Sequence, residues 1–570
     1  MPRSDNTGRF DIGRRKLVQS LGLAGVAGLA GCSGTSDDQS TTTTDEGTTT
    51  DEATTQDSSG GQTGSELIAT FGADVKNFDP TKATDTTSQK AFGLVYESLL
   101  QVDFDGEIQP VLAKSVEQTD ADLTWRVNLR EGVTFHNGKE LTAQDVKSSY
   151  ERYKGSPNES EVYKWYKSSE VVDDYTLDLT LSDDYAPLKY TLAALPIVPA
   201  EAASDELSLA ENPVGTGPYT FVEHQPDSLF RIERNGDYWF SGSDSVPAQP
   251  SIERITFRVI IEQSAQLAAL QGGDVDMINA PPAGSVSDLK SNDKFTVTER
   301  QAGGFDLLSF PTKLAPFDNA KVRRGISRLV PRDAIVKSVY NGIGIPAYTP
   351  VSPLAADFTS EEFNQQMGEE YLGYNQEKAN TLLEEGFANS DVQTPFKTTI
   401  ISNENPQRVR WAQLIAESLN STDYFDVSVE QFEWNTYVGK ILSEKSASKN
   451  ELIAVGWSGG WDPDAYVYNL VHSGGFTPNG FNMAHYANDE VDSLLAEGLS
   501  TYDTQERAEI YKDLMEILCR DAPMTYIRFG MEMDAFHTDR VKGFQTYPIN
   551  GSEFQGIYAP ASDANTELTK

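Results

Sequence analysis

The sequence predicts an α/β protein of at least two lobes, and three observations carry that prediction. The chain has 570 residues, several times the ~150 of an ordinary domain, so more than one core is expected. Stretches in which apolar residues alternate are interleaved with stretches of helical periodicity along most of the length. The composition, 38% hydrophobic with 10% aromatic, is that of a chain able to fill those cores.

Taken in order, residues 67–71 read as a short strand, and Ala91, Phe92, Leu94, Val95 and Leu99 as one face of a helix. Leu123, Trp125, Val127 and Leu129 alternate with Thr124, Arg126 and Asn128, the pattern of a half-buried strand. Thr142 and Asp145 have the spacing of a capping box that opens a helix running to about Lys154. Leu177, Leu179 and Leu181 alternate again. Ile255, Phe257 and Val259, a helix around 266–269 and a strand at 275–278 read as one βαβ unit turned by Gly272-Gly273. Helices near 319–330, 375–386, 406–420 and 504–519 then interleave with strands near 397–402, 425–432 and 451–455. No internal repeat is apparent. Cys519 falls on a helical stripe with Tyr511, Met515 and Leu518 and reads as a small buried hydrophobe.

The N-terminus reads as an export signal. Arg14-Arg15-Lys16 precedes an uncharged apolar run over 17–30, fourteen residues long. That is too short to cross a ~30 Å hydrocarbon core but suits a signal-peptide apolar region. The paired arginines point to the twin-arginine route, general secretion being the alternative. Leu29-Ala30-Gly31-Cys32 resembles a lipobox, which implies a lipid on Cys32 and a mature chain that starts there. Residues 33–65 hold 11 Thr, 6 Ser, 5 Gly and 7 acidic residues, with no Lys, Arg or aromatic. Such a segment has no apolar surface to bury and is expected to be a disordered tether, with an r.m.s. reach of roughly 30 Å.

Lys and Arg number 46 against 86 Asp and Glu, a formal net charge of −40. The leader carries five basic and two acidic side chains, and the tether carries seven acids, so −36 remains on the body from residue 66 onward. The acidity is therefore a property of the folded surface and not of a tail. It excludes nucleic acid and anionic lipid as partners of that surface. It also suits multimolar salt, where the screening length is ~3 Å or less, and so predicts a halophilic, archaeal extracellular protein.

Signals for catalysis are sparse. Gly456-Trp457-Ser458-Gly459-Gly460 matches the spacing of a hydrolase nucleophile elbow after a strand. Trp461-Asp462-Pro463-Asp464 follows where a helix should begin at once, and a residue before proline is biased away from helix. Of the histidines, only His472, His485 and His537 lie after Ser458, and none stands in a distinctive motif. No His-Glu-x-x-His or paired Cys-x-x-Cys pattern exists, so no structural zinc is expected. Asp103-Phe104-Asp105-Gly106 lacks a glutamate twelve positions on and reads as a plain turn. This inventory favours a binder over an enzyme.

Several segments resemble the peptide/nickel family of extracytoplasmic solute-binding proteins that serve ABC importers, of the haloarchaeal lipoprotein type. They include Asn77-Phe78-Asp79-Pro80, Val95-Tyr96-Glu97-Ser98-Leu99-Leu100, Phe135-His136-Asn137-Gly138, Gly215-Thr216-Gly217-Pro218-Tyr219, Arg234-Asn235-Gly236-Asp237-Tyr238-Trp239 and Ala315-Pro316-Phe317-Asp318. They occur in the family's order across nearly all of 66–570. The resemblance implies a periplasmic-binding-protein-like type II fold of two α/β lobes that close at a hinge, with an extra subdomain inserted in the first. By analogy the first lobe takes 66–94, 198–303 and 521–570, the inserted subdomain 95–197, and the second lobe 304–520. His136 is expected to be scaffold, and the glycines at 215 and 217 to serve a tight hairpin entry that requires positive φ.

The resemblance also places the ligand site. Trp457, flanked by Gly456, falls where family members carry a ligand-contacting tryptophan, Trp434 at a second aromatic wall, and Gly303-Gly304 at a hinge where backbone meets ligand. Aromatic walls suit variable side chains. Peptide-binding members carry an aspartate for the ligand's ammonium group three residues after the tryptophan, where this chain has Gly460. Asp462 is the expected substitute, and Arg408 the candidate for the ligand carboxylate, since the family's arginine position falls near Ser402. The implied function is a lipoprotein, held on the outer face of the membrane by Cys32, that captures di- or oligopeptides and delivers them to ABC permease and ATPase subunits. A monomer without cofactor or bound metal is expected. The alternatives are the same module with an oligosaccharide or other non-peptide solute, or a surface-anchored hydrolase using Ser458.

Overall fold

The computed structural model describes residues 65–204, 207–388, 390–549 and 551–569. The leader, Cys32 and nearly all of the tether lie outside the described residues.

Alternating apolar residues produce sheets, and each sheet builds a core of its own. Glu66–Phe71 pairs in parallel with Arg254–Val259, and Leu229–Arg234 and Tyr219–Gln225 complete a four-stranded sheet. Around it Leu67, Phe71, Phe230, Ile232, Ile255 and Phe257 form the core of the first lobe, joined by Phe536, Phe544 and Phe554 from near the C-terminus. A second four-stranded sheet, Ala113–Gln118, Thr124–Leu129, Thr176–Leu181 and Tyr166–Asp173, carries a separate core running from Leu99 to Ile197. This sheet and core fall within residues 95–197, the range expected for the inserted subdomain.

The second lobe is built on a seven-stranded sheet. Its order is Met277–Asn279, Met524–His537, Phe295–Ser309, Glu451–Trp457, Phe396–Asn403 and Phe425–Phe432, with Ile345–Pro346 on the flank of Met524–His537. Cores lie on both faces: Phe305, Leu307, Ile453 and Val455 point to one, and Leu308, Leu452 and Ala454 to the other. That alternation is the period-two geometry of a strand buried on both sides.

The two long strands Phe295–Ser309 and Met524–His537 link the lobes. They pair from Phe295↔His537 to Gln301↔Met531 at the first lobe and from Phe305↔Phe529 to Ser309↔Met524 in the second. The register breaks between Gln301 and Phe305, where Gly303 and Gly304 sit, so the ladder is weakest at the junction of the two bodies.

Some expectations require correction. The helix expected through Leu99 is Thr86–Phe92 and stops at Gly93; Leu100 already belongs to the strand Leu100–Val102. The apolar residues 94–99 were spaced for a helix face, but they fill a turn wedged between the first two cores. The strands Arg254–Val259 and Met277–Asn279, with the helix Gln263–Gly272 between them, do not share a sheet. Gly273 does take the left-handed cap, with φ +80. The capping box at Thr142 and Asp145 is formed, and its helix, Ala143–Glu151, is a turn shorter than expected. Neither Gly215 nor Gly217 has positive φ. Glycine is needed there for close approach: a Cβ on Gly217 would stand 2.6 Å from the Leu94 carbonyl, and one on Gly215 would overlap that of Val95. His136 braces the same segment, its Nε2 3.0 Å from the Gly217 carbonyl.

Candidate functional site

The second lobe's wall of the cleft is set by the strand Glu451–Trp457 and the link that follows it. Strand alternation turns Val455 and Trp457 to one face and Gly456 to the other. Trp457 is half-buried, its ring edge-on to Phe481 at 5.5 Å, and its Nε1 donates to the Ala465 carbonyl at 3.1 Å. Trp434 begins the helix Trp434–Ile441, which Glu433 caps, and it lies on the same core face as Trp457 with Tyr437 6.2 Å away.

Residues 458–461 run along the boundary between the lobes. Ser458 is exposed. A Cβ on Gly303 would come 2.6 Å from the Gly459 carbonyl, and one on Gly304 3.5 Å from that of Trp457. The side-chain space at Gly303 is thus taken by the neighbouring backbone, and Gly459 is in turn overlaid by the Tyr466 ring. Tyr466 donates to the Gly460 carbonyl at 2.7 Å, while the side-chain direction of Gly460 is open, with nothing within 4 Å.

Two predicted anchors stand elsewhere. Arg408, on the helix Pro406–Asn420, packs beneath Gly456 on the sheet face opposite Trp457, where a Cβ on Gly456 would meet its Nη2 at 2.6 Å. Its Nη1 donates to Asn403 at 2.7 Å and its Nη2 is 4.0 Å from Asp306. Asp306 also accepts from Tyr340 at 2.9 Å and lies 3.4 Å from Arg528. Arg408 and Gly456 therefore belong to a buried charge cluster under the sheet, and a one-residue step along the strand separates them from the tryptophan wall. Asp462 is 6% exposed and both of its oxygens are engaged by Arg507, one from Nη2 at 2.9 Å and the other from Nη1. With the Asp464 amide also donating to it at 2.9 Å, this carboxylate already has its charge partner and is not poised to pair with a ligand ammonium.

Asp464, at the start of the helix Asp464–Val471, differs. It accepts a hydrogen bond from Tyr511 at 3.2 Å, and burial together with the Asp462 charge pushes its carboxyl up to about 7, against Arg507, Tyr511 and Lys164, which pull it down. Sequence reading passed over Arg507 and Trp461. A buried arginine 45 positions from its partner leaves no local signal, whereas Trp461 stood in view inside the segment already singled out.

No triad forms at Ser458 among the described residues. His472 stacks on Tyr468 and accepts from the Gly474 amide, His485 meets the Thr477 hydroxyl and His537 the Leu270 carbonyl. No cluster of potential metal ligands and no helix long and apolar enough to cross a membrane occurs among the described residues. A cavity of about 1070 Å³ opens between the first lobe and the inserted subdomain, lined by Glu97, Arg130 and Trp239 among others. None of its lining residues falls in 304–520, the range expected for the second lobe. At its edge Glu97 accepts from Tyr238, Trp239 and Thr216, and burial lifts its carboxyl to about 7 despite those donors.

Comparison with known proteins accords with this architecture. Residues 107–478 match the family model described as bacterial extracellular solute-binding proteins, family 5 middle. Heme-binding protein A of Haemophilus influenzae is 30% identical over 84% of this chain and 90% of its own length. A glutathione-binding protein of Pectobacterium atrosepticum is 27% identical over 85% of this chain and 92% of its own. Among solved structures, the ABC transporter-associated periplasmic binding protein DppA of Helicobacter pylori, in complex with the peptide STSA, has a TM-score of 0.68 at 27% identity, covering 89% of this chain and 98% of that one. This family is made of substrate-binding proteins of transporters and not of enzymes. The chain belongs to the family 5 extracellular solute-binding proteins.

Proposed function

We propose that this chain captures di- or oligopeptides outside the cell, in the cleft between its lobes, and delivers them to the permease of an ABC importer while a lipid on Cys32 holds it at the membrane. The observation that carries the reading is the segment from Trp457 to Gly460, which runs along the lobe boundary with an aromatic wall behind it and an open side-chain position at Gly460. Aromatic surface with few fixed charges suits ligands of varied side chains. Trp457, Trp434 and the backbone at Gly303-Gly304 are the contacts we assign. The lack of a free carboxylate at position 460 favours peptides longer than two residues, because a desolvated terminal ammonium without a partner is costly in a small enclosed site. The acidity of the body supports a setting of concentrated salt.

Native mass spectrometry of protein purified from its own source tests the ligand class. Peptide masses are expected; saccharide, haem or glutathione masses would redirect the assignment. For the anchor, Cys32→Ser is expected to release protein into the medium, and retention in the membrane fraction would count against the lipid.

A further inference from the structure

We propose that Trp461 is a latch on lobe closure: carried by the second lobe, its indole docks in a socket of the first lobe and inserted subdomain and holds the molecule shut before any solute binds. The inference rests on the reading that solute enters between the lobes, but the latch itself needs no ligand.

The socket is a small apolar cluster shared by all three bodies. Val102 and Phe104 come from the subdomain, Tyr547, Ala559 and Ala564 from the first lobe, and Leu354 and Trp461 from the second. Trp461 is 8% exposed. Its ring lies 6.2 Å from that of Tyr547, which is itself edge-on to Phe104 at 5.5 Å. The turn at Gly106 passes so close that a Cβ there would stand 3.0 Å from the indole. The socket is braced apart from Trp461: Tyr547 donates to the Val102 carbonyl at 2.8 Å, and Arg300 donates to that of Phe104 at 2.8 Å while stacking over its ring. The receiving surface is therefore preformed, and Trp461 is the second lobe's aromatic contribution to it.

Across the same boundary the second lobe's half-buried Tyr502 lies against the Trp125 ring of the subdomain at 5.5 Å, and hydrogen bonds accompany it. The Ala186 amide donates to the Leu499 carbonyl at 2.8 Å, and the Tyr185 amide to the Tyr502 hydroxyl at 3.2 Å. Opening the lobes returns the hydrogen-bonding groups to water at little net cost, and of the two aromatic contacts it uncovers more at Trp461, which is buried, than at Tyr502, which is already half-exposed. The acidic surfaces repel across the cleft, and salt screens that repulsion while leaving an apolar contact intact. The latch thus gains weight as ionic strength rises.

Small-angle scattering of the full chain, solute-free and in concentrated potassium chloride, tests this. Wild type is expected to scatter as the closed form, and Trp461→Phe to stay close to it. Trp461→Ala is expected to lower the closed-to-open ratio by about tenfold or more and raise the radius of gyration. Phe104→Ala, altering the socket from the other side, should open the molecule similarly, and the double variant should add little. Circular dichroism confirms that each variant is folded. A solute-free wild type that scatters as open, or folded Trp461→Ala and Phe104→Ala variants that both scatter as wild type, would overturn the latch. Because no solute is present, either result is independent of which ligand the cleft proves to take.

Discussion

Asp462 shows how far a residue's meaning depends on a partner the local sequence does not display. Read beside Gly460 it is the nearest acid to an expected ligand ammonium; folded, it is half of a buried pair with Arg507. Breaking the pair leaves an uncompensated buried charge, so Arg507→Ala is expected to destabilise by about 3–5 kcal/mol. The double change Asp462→Asn with Arg507→Met should cost clearly less, and denaturant midpoints measure both. Asp464 supplies a pH signature. Its carboxyl is raised to about 7 by burial and the Asp462 charge, so the folded state holds a proton that the unfolded chain releases in the ordinary carboxylate range. The stability this proton confers is full below that range and is lost as pH rises through about 7. Asp464→Asn is expected to flatten that part of the stability profile, by on the order of 1–2 kcal/mol after allowing for partial exposure. Thermal melts at pH 5 and pH 8 read the difference; parallel profiles would refute it.

At the scale of the element, strand alternation explains both what was legible and what was not. The period of two along Glu451–Trp457 already implies that Gly456 and Trp457 face opposite ways. Which of those faces meets the cleft depends on what packs there, and the helix Pro406–Asn420 with Arg408 covers the Gly456 side. The crossing strand Phe295–Ser309 makes a similar point, because Gly303 is required by the Gly459 backbone across from it. Gly303→Ala is expected to cost about 1–3 kcal/mol through overpacking, whereas Gly460→Ala, with open space around it, should be close to neutral. A melting comparison of the two variants checks this, and equal losses would contradict the geometry. The helix misread at residues 94–99 has the same origin: apolar spacing recorded burial faithfully, but two adjoining cores and not a helix face buried those side chains.

For the molecule as a whole, charge and lobe closure meet. A net −36 on the body from residue 66 onward repels itself at low ionic strength and is screened within ~3 Å at 1 M salt. The expected outcome is a melting temperature that climbs with potassium chloride and partial unfolding in dilute buffer; full stability in dilute buffer would refute the high-salt reading. Local spacing and composition by themselves determined the α/β alternation, the acidity of the body and the ordered motifs that mark its family. These signals act over a few residues or over the whole composition, so a single chain displays them directly. Tertiary structure alone decided which side chains meet: Arg507 with Asp462, Arg408 beneath Gly456, Gly303 against Gly459, Trp461 against Tyr547. Those four pairs join residues 45 to 156 positions apart, and chain folding brings them together through core packing that no local periodicity encodes.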